Sequence, residues 1–170
     1  VLNLIEKAAE DPNVLEIKLP IFRLAKNSRI TAALLRAAEN GKHVSALFEI
    51  KARFDEENNI REAEKLQRAG CFVIYGIGWL KTHTKLMLIV RREGQQVMQY
   101  AHLASGNYNE DTTKLYTDIS LLTANEDYTH DIAEFFNAIT GHSQPESYIN
   151  LITSPKDMRR AMVAMIKREA

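Results

Sequence analysis

The sequence lacks most of the features that announce common binding and redox devices, and each gap narrows the field. A single cysteine, Cys71, excludes an intramolecular disulfide and fits a reducing compartment. Next to Phe72-Val73-Ile74, that thiol reads as a small core residue. Charge of one sign is also missing: 22 Lys and Arg balance 22 Asp and Glu. With zero net charge, bulk electrostatics points neither to nucleic acid nor to a membrane surface, and any anion site must come from local clustering. No apolar run approaches the length of a membrane span, and the N-terminus lacks the basic-then-apolar layout of a signal peptide. There is no Gly-x4-Gly-Lys-Ser/Thr loop and no Gly-x-Gly-x-x-Gly fingerprint, so nucleotide phosphates would be held without a Walker-type cradle. No Cys pair and no His-Glu-x-x-His helix suggests zinc. The chain begins at Val1 without a methionine and carries a helical pattern nearly to Ala170, as expected of a piece of something longer.

What is present fits one ordinary domain of 170 residues with 45% hydrophobic content. Leu2, Ile5 and Ala9 have helical spacing, and Asp11-Pro12-Asn13 stops that helix before a strand starts at Val14. Asn27-Ser28 caps a second helix striped by Ile30, Leu34 and Ala38, and Asn40-Gly41 ends it before the strand Val44 to Ile50. After the charged loop Lys51 to Glu57, a helix with Ile60, Ala63 and Leu66 runs to Gly70, and Cys71 to Tyr75 forms the next strand. Such alternation predicts an α/β fold with a mixed, mainly parallel sheet and helices on its faces. A hairpin then breaks the alternation, Ile119 to Thr123 adds a strand, and Ile132, Phe135, Phe136 and Ile139 mark an apolar helix ending near Gly141. Ser154-Pro155 is expected to cap a last helix whose Met158, Met162 and Ile166 serve core or domain-interface packing. The loop from Gly141 to Tyr148, with Pro145, is the candidate hinge.

The hairpin carries the chemistry. It opens with Lys81-Thr82-His83-Thr84-Lys85, runs through Leu86 to Val90, turns at Arg92-Glu93-Gly94, and returns through Val97 to Leu103 and Ser105-Gly106-Asn107-Tyr108-Asn109. Read as one strand, it sets His83 and Lys85 about 7 Å apart on one face. An imidazole nucleophile beside a fixed cation suits phosphate transfer. Against that, an isolated histidine at a strand start is more often a hydrogen-bonded structural residue. Lys85 shifts the weight, because a buried ammonium needs an anionic partner. His102 competes for the same role: it could orient the first imidazole, bind phosphate, or fill the sheet edge. Ligands of α/β sheets sit beyond the carboxyl ends of the parallel strands, where Arg23 and Arg53 both fall. Two guanidinium forks suit phosphate, although Arg53 could equally pair with Asp55 to Glu57 in a solvated loop. Asn107 and Asn109 are turn residues by default, yet their amides could hold an imidazole or a phosphoryl oxygen. Asp118 reads first as a cap or strand-end acceptor, and Tyr116 either as half-buried packing or as a base-stacking ring.

Four blocks, Ala52 to Ile60, Leu80 to Lys85, Gly106 to Asn109 and Leu115 to Asp118, closely resemble bacterial polyphosphate kinases of the first type in order and spacing, and the similarity runs across essentially the whole chain. The resemblance implies the first of two phospholipase-D-like catalytic domains in residues 1–141, with 142–170 as linker and helix leading to the second. By motif, His83 matches the histidine that becomes phosphorylated and Tyr116 a tyrosine that contacts the nucleotide. Arg23 and Arg53 match two arginines assigned to the magnesium and phosphate site. A guanidinium cannot ligate a cation, so any such contact runs through phosphate oxygens, water or a backbone carbonyl.

The implied activity is reversible transfer of the terminal phosphate of ATP to inorganic polyphosphate through a phosphohistidine at His83, with Lys85 and His102 in the catalytic set, Arg23, Arg53, Tyr116 and Asn107 around the nucleotide, and Mg2+ as cofactor. The implied partners are ATP/ADP, polyphosphate, the remaining domains and a further copy in the full-length enzyme, without nucleic acid or a membrane span. A cytoplasmic location is expected, with membrane association open for the full-length enzyme. Two alternatives stand beside it: a phospholipase-D-type phosphodiesterase, and a silent half-site or oligomerisation module when the chain is isolated. The superfamily's usual aspartate, five residues after Lys85, is Val90 here, which counts against lipase or nuclease chemistry.

Overall fold

The computed structural model describes residues 1–25, 27–49, 56–78, 80–141 and 145–170. The chain begins with α1 (Leu2–Glu10) and β1 (Val14–Ile21), followed by α2 (Arg29–Glu39), β2 (His43–Phe48), α3 (Glu56–Arg68) and β3 (Phe72–Tyr75). The hairpin β4 (Leu86–Glu93) and β5 (Gln96–Ala104), the edge strand β6 (Ser120–Thr123), α4 (Glu126–Ile139) and α5 (Met158–Glu169) complete it. Local chemistry explains the boundaries. Ser28 Oγ accepts from Ile30 N at 3.1 Å and starts α2. Asn125 Oδ1 accepts from Asp127 N and Tyr128 N at 3.1 and 3.3 Å and starts α4, whose first turn carries Glu126 and Asp127 against the positive dipole end. Glu93 pairs with Gln96, which leaves a two-residue turn with Gly94 at φ 61, the left-handed first position that favours glycine.

Among the described residues the strands form one sheet in the order β3-β2-β1-β4-β5-β6. The expected mixed α/β architecture is present, but parallel pairing is confined to β1 with β2 and β2 with β3. Every pairing from β1·β4 outward is antiparallel, so "mainly parallel" describes only one half of the sheet. Helices cover both faces. Ile17, Leu19, Ile21, Phe48, Met87 and Ile89 pack on one side with Ile5, Leu34 and Leu66 of α1 to α3. Leu86, Leu88 and Ala101 pack on the other with Ile132 and Phe136 of α4.

Two expectations need correction at the C-terminal end. Ser154-Pro155 does not cap the last helix; Asp157 stands at its N-cap without a side-chain cap bond, because α5 starts only at Met158. No residue of α5 is buried, so of the two roles expected for Met158, Met162 and Ile166 the core role is excluded, and the exposed stripe leaves the domain-interface role. The segment before α5 is tied down at one point. The buried Asp131 of α4 accepts backbone N–H groups of Ile149, Asn150 and Leu151 at 2.8, 2.6 and 2.9 Å. Residues 142–144 of the expected hinge lie outside the described residues.

Strand direction gathers the chemistry at one sheet edge. The C-terminal ends of β1, β2, β3 and β5 and the N-terminal ends of β4 and β6 lie on the same side. Pairing of β1 with β4 stops at Lys18↔Leu88, two residues before Pro20, which has no N–H to give to a ladder. Beyond that point no pairing joins the two strands among the described residues, and the stretch leading into β4 is irregular.

Candidate phosphate site at the strand ends

Lys81 to Lys85 has no regular secondary structure, so His83 and Lys85 are not strand neighbours on one face as the sequence suggested. A ring brings them together instead. The His83 ring meets Phe22 edge-on with centroids 5.0 Å apart and planes at 88°. Lys85 Nζ, Lys81 Nζ and Arg23 Cζ lie 5.5, 5.4 and 5.6 Å from the Phe22 centroid, within cation–π range. Lys85 also folds back so that its ammonium donates to the His83 carbonyl.

Those neighbours set the protonation states. His83 is held below its ordinary pKa of 6.5, first by loss of water around the ring and then by the cations of Lys85 and Lys81. A neutral imidazole with a free lone pair is the nucleophilic form. Lys85 is buried, and that burial pulls its pKa from 10.5 down to about 8, with the Asp118 carboxylate opposing. Among the described residues neither Lys81 nor Lys85 belongs to an ion pair. Three cations gathered round one ring make an electropositive corner suited to an oxyanion.

The opposite rim is the loop after β5. Ser105 Oγ donates to Asp118 Oδ1 at 2.9 Å and accepts from Ile119 N at 3.1 Å, the strand-end role expected of Asp118. A Cβ on Gly106 would lie 2.1 Å from Asp118 Oδ2, so this close approach requires glycine. Asn107 Oδ1 and Thr82 Oγ1 are buried without a hydrogen-bond partner among the described residues. Gly106, Asn107 and Asp118 line a cavity of about 530 Å³ that also reaches Arg29 and Lys114.

The remaining candidates are scattered. His102 lies inside β5, 4% exposed, with Nδ1 3.0 Å from Tyr108 Oη; burial lowers its pKa. No hydrogen bond or ring contact joins it to His83 among the described residues. Tyr116 is 69% exposed and stacks on no ring among the described residues. Arg53 lies outside the described residues.

Sequence reasoning missed Phe22 and Lys81, together with three buried polar groups behind them: Glu49, Asn59 and Thr82. Asn59 and Glu62 share the inner face of α3 with Ala63 and Leu66, while Ile60, expected in the core, is 42% exposed. The spacing 59, 62, 63, 66 was the available signal, but two of its four members are polar.

No three His, Cys, Asp or Glu side chains gather to hold a metal ion among the described residues. The side chain of Arg23 has only donors, and the carboxylates of Asp118 and Glu49 are already engaged by Ser105 and Thr82.

The described residues thus form a mixed α/β sheet with an imidazole and clustered cations at its strand ends, an arrangement suited to binding phosphate. Nuc, a phospholipase D family member from Salmonella typhimurium, superposes with a TM-score of 0.64 at 12% identity, covering 84% of this chain and 88% of that chain, a likeness of fold alone. The polyphosphate kinase from Porphyromonas gingivalis superposes with a TM-score of 0.84 at 40% identity, covering 99% of this chain and 28% of that one. A polyphosphate kinase of Prosthecochloris aestuarii is 52% identical over 169 residues, covering 99% of this chain and 24% of its own length. One of Synechocystis is 50% identical over 170 residues, covering 100% and 23%. Residues 1–145 match the family model for the polyphosphate kinase C-terminal domain 1. The chain belongs to that family, and it spans about a quarter of the length of the curated relatives it matches.

Proposed function

We propose that this domain supplies one half of a site that moves the terminal phosphoryl group of ATP onto inorganic polyphosphate, and back, with His83 as the transient phosphate carrier. The observation that carries this reading is the neutral, accessible His83 imidazole held against Phe22 among Lys81, Lys85 and Arg23. His83 attacks the terminal phosphorus; the bond to the bridging oxygen breaks and ADP leaves with its electrons. Lys85, Lys81 and Arg23 spread the charge on the transferring group. The terminal oxygen of a polyphosphate chain then takes the phosphoryl group from His83. Because the anhydride formed resembles the one broken, the reaction runs in both directions. Arg53, Tyr116 and Asn107 enter as further contacts to nucleotide and phosphate, while His102, paired with Tyr108 inside the sheet, supports the site from within. Magnesium carried on the nucleotide's phosphates would supply further neutralisation of charge on the transferring group.

Residues 1–141 form the catalytic half in this reading, and 142–170 lead to a second phospholipase-D-like half that faces it. A full-length enzyme in the cytoplasm, assembled from more than one copy, follows from the same resemblance. Polyphosphate synthesis from ATP by the full-length protein, lost in His83→Ala, tests the proposal. Hydrolysis of a chromogenic phosphodiester without ATP, at a rate above that of polyphosphate synthesis, would replace it with phosphodiesterase chemistry.

A further inference from the structure

The stretch that carries His83 has no strand ladder to fix it, so something else must aim the ring. The Asn59 side chain, fully buried on α3, donates from Nδ2 to the Phe22 carbonyl at 2.9 Å and to the Glu49 carbonyl at 3.2 Å. One amide thereby ties the end of β1, where the Phe22 platform stands, to the end of β2. Glu49 is 1% exposed, and its own N–H donates to the Ile21 carbonyl at 2.9 Å. Its side chain crosses to the irregular stretch, where Oε2 accepts the Thr82 N–H at 2.6 Å. Thr82 directly precedes His83, and Phe22 packs on the His83 ring. The carboxyl group therefore acts on His83 through the backbone, while Asn59 holds both the carboxyl's anchor and the ring's platform in one frame.

We infer that Glu49 is a positioning residue for phosphoryl transfer: through Thr82 it fixes where the His83 imidazole points, touching neither nucleotide nor phosphate. The inference rests on the reading of His83 as phosphate carrier. A nucleophile displaced by about 1 Å from its attack geometry can lose on the order of 10²-fold in rate. Ground-state binding of ATP does not depend on that aim, so the loss falls on the chemical step.

The test uses the full-length protein and terminally labelled ATP, with the rate of acid-labile labelling at His83, the Kd for ATP and the melting temperature measured in parallel. Glu49→Ala is expected to slow labelling by about 10²-fold while the Kd stays within about threefold of wild type. Glu49→Gln, whose amide oxygen still accepts from Thr82 N–H, is expected to recover most of the rate. Glu49→Asp, one methylene short of Thr82, is expected to remain slow. The Gln and Asp variants keep the test alive where the alanine variant does not fold. Wild-type labelling rates in Glu49→Ala or Glu49→Asp, a loss that Glu49→Gln does not recover, or an ATP affinity that falls in step with the rate would each overturn the inference. A wild-type protein that takes no label at His83 would overturn the carrier reading itself, a result that no Glu49 variant can produce.

Discussion

Replacing Lys85 by arginine tests whether the charge at this corner limits the reaction. Lys85 is 8% exposed, and burial, opposed by Asp118, brings its pKa from 10.5 to about 8. At about 1.4 kcal/mol for each pH unit, that displacement amounts to on the order of 3 kcal/mol against the charged ammonium, which an arriving phosphoryl oxygen would offset. The working form of Lys85 is protonated, so its contribution is present below about pH 8 and lost above it. The working form of His83 is neutral, so activity is present above its lowered pKa, which lies under 6.5, and lost below it. The kcat/KM of the full-length protein for ATP reports the groups of the free enzyme, and above the alkaline midpoint it should fall about tenfold per pH unit. In Lys85→Arg the guanidinium stays charged past about pH 12, so the alkaline limb should disappear from the measurable range. The plateau should also fall, because a planar fork does not fill the place of a compact ammonium. An alkaline midpoint that stays near 8 in the arginine variant would assign that limb to another group and refute the argument.

Other perturbations reach different parts of the account. Gly106→Ala should push Asp118 away from its present position, 2.1 Å from the new Cβ, and break its bond to Ser105. The expected loss is about 1 kcal/mol in chemical denaturation, together with an alkaline limb moved below that of the wild type as Lys85 loses its opposing charge. Asp131→Ala strands three backbone N–H groups and should cost about 2 to 3 kcal/mol, or about 5 to 10 °C in melting temperature for a chain of this size. Asp131 has a pKa below the ordinary carboxylate range: burial works to raise it, but the N–H groups of Asn150, Ile149 and Leu151 outweigh that. Its stabilisation is therefore complete above pH 3.8 and lost as pH falls through the lowered value, so in a melting series in acid the gap between the wild type and the alanine variant should close. The 170-residue chain by itself should synthesise little or no polyphosphate from ATP in an assay where the full-length protein is active.

The alternation of helices and strands was legible because its punctuation is local. Asp11-Pro12-Asn13, Ser28 and Asn40-Gly41 each end or cap an element through their own side chain or backbone freedom, and the structure places boundaries at all of them. His83 and Lys85 were legible as a pair, but not their geometry. They avoid a strand where β1–β4 pairing stops short of Pro20, and the sequence does not reveal that β1 is the partner of β4. The balance of parallel and antiparallel pairing was hidden for the same reason, since pairing partners are a long-range property. Glu49 and Asn59 escaped notice because a hydrophobic stripe is found by its apolar members, and the inner face of α3 carries an amide and a carboxylate at core positions. The α5 stripe was read correctly as helical, but packing needs a partner surface, and its apolar residues stand exposed.

The central claim is that phosphate passes through His83. Incubating the full-length protein with terminally labelled ATP and mapping the acid-labile phosphate tests it most directly. The account predicts label on the His83 imidazole, absent in His83→Ala and still formed in His102→Ala, whose ring is paired with Tyr108 inside the sheet. Label that persists in His83→Ala and vanishes in His102→Ala would contradict it.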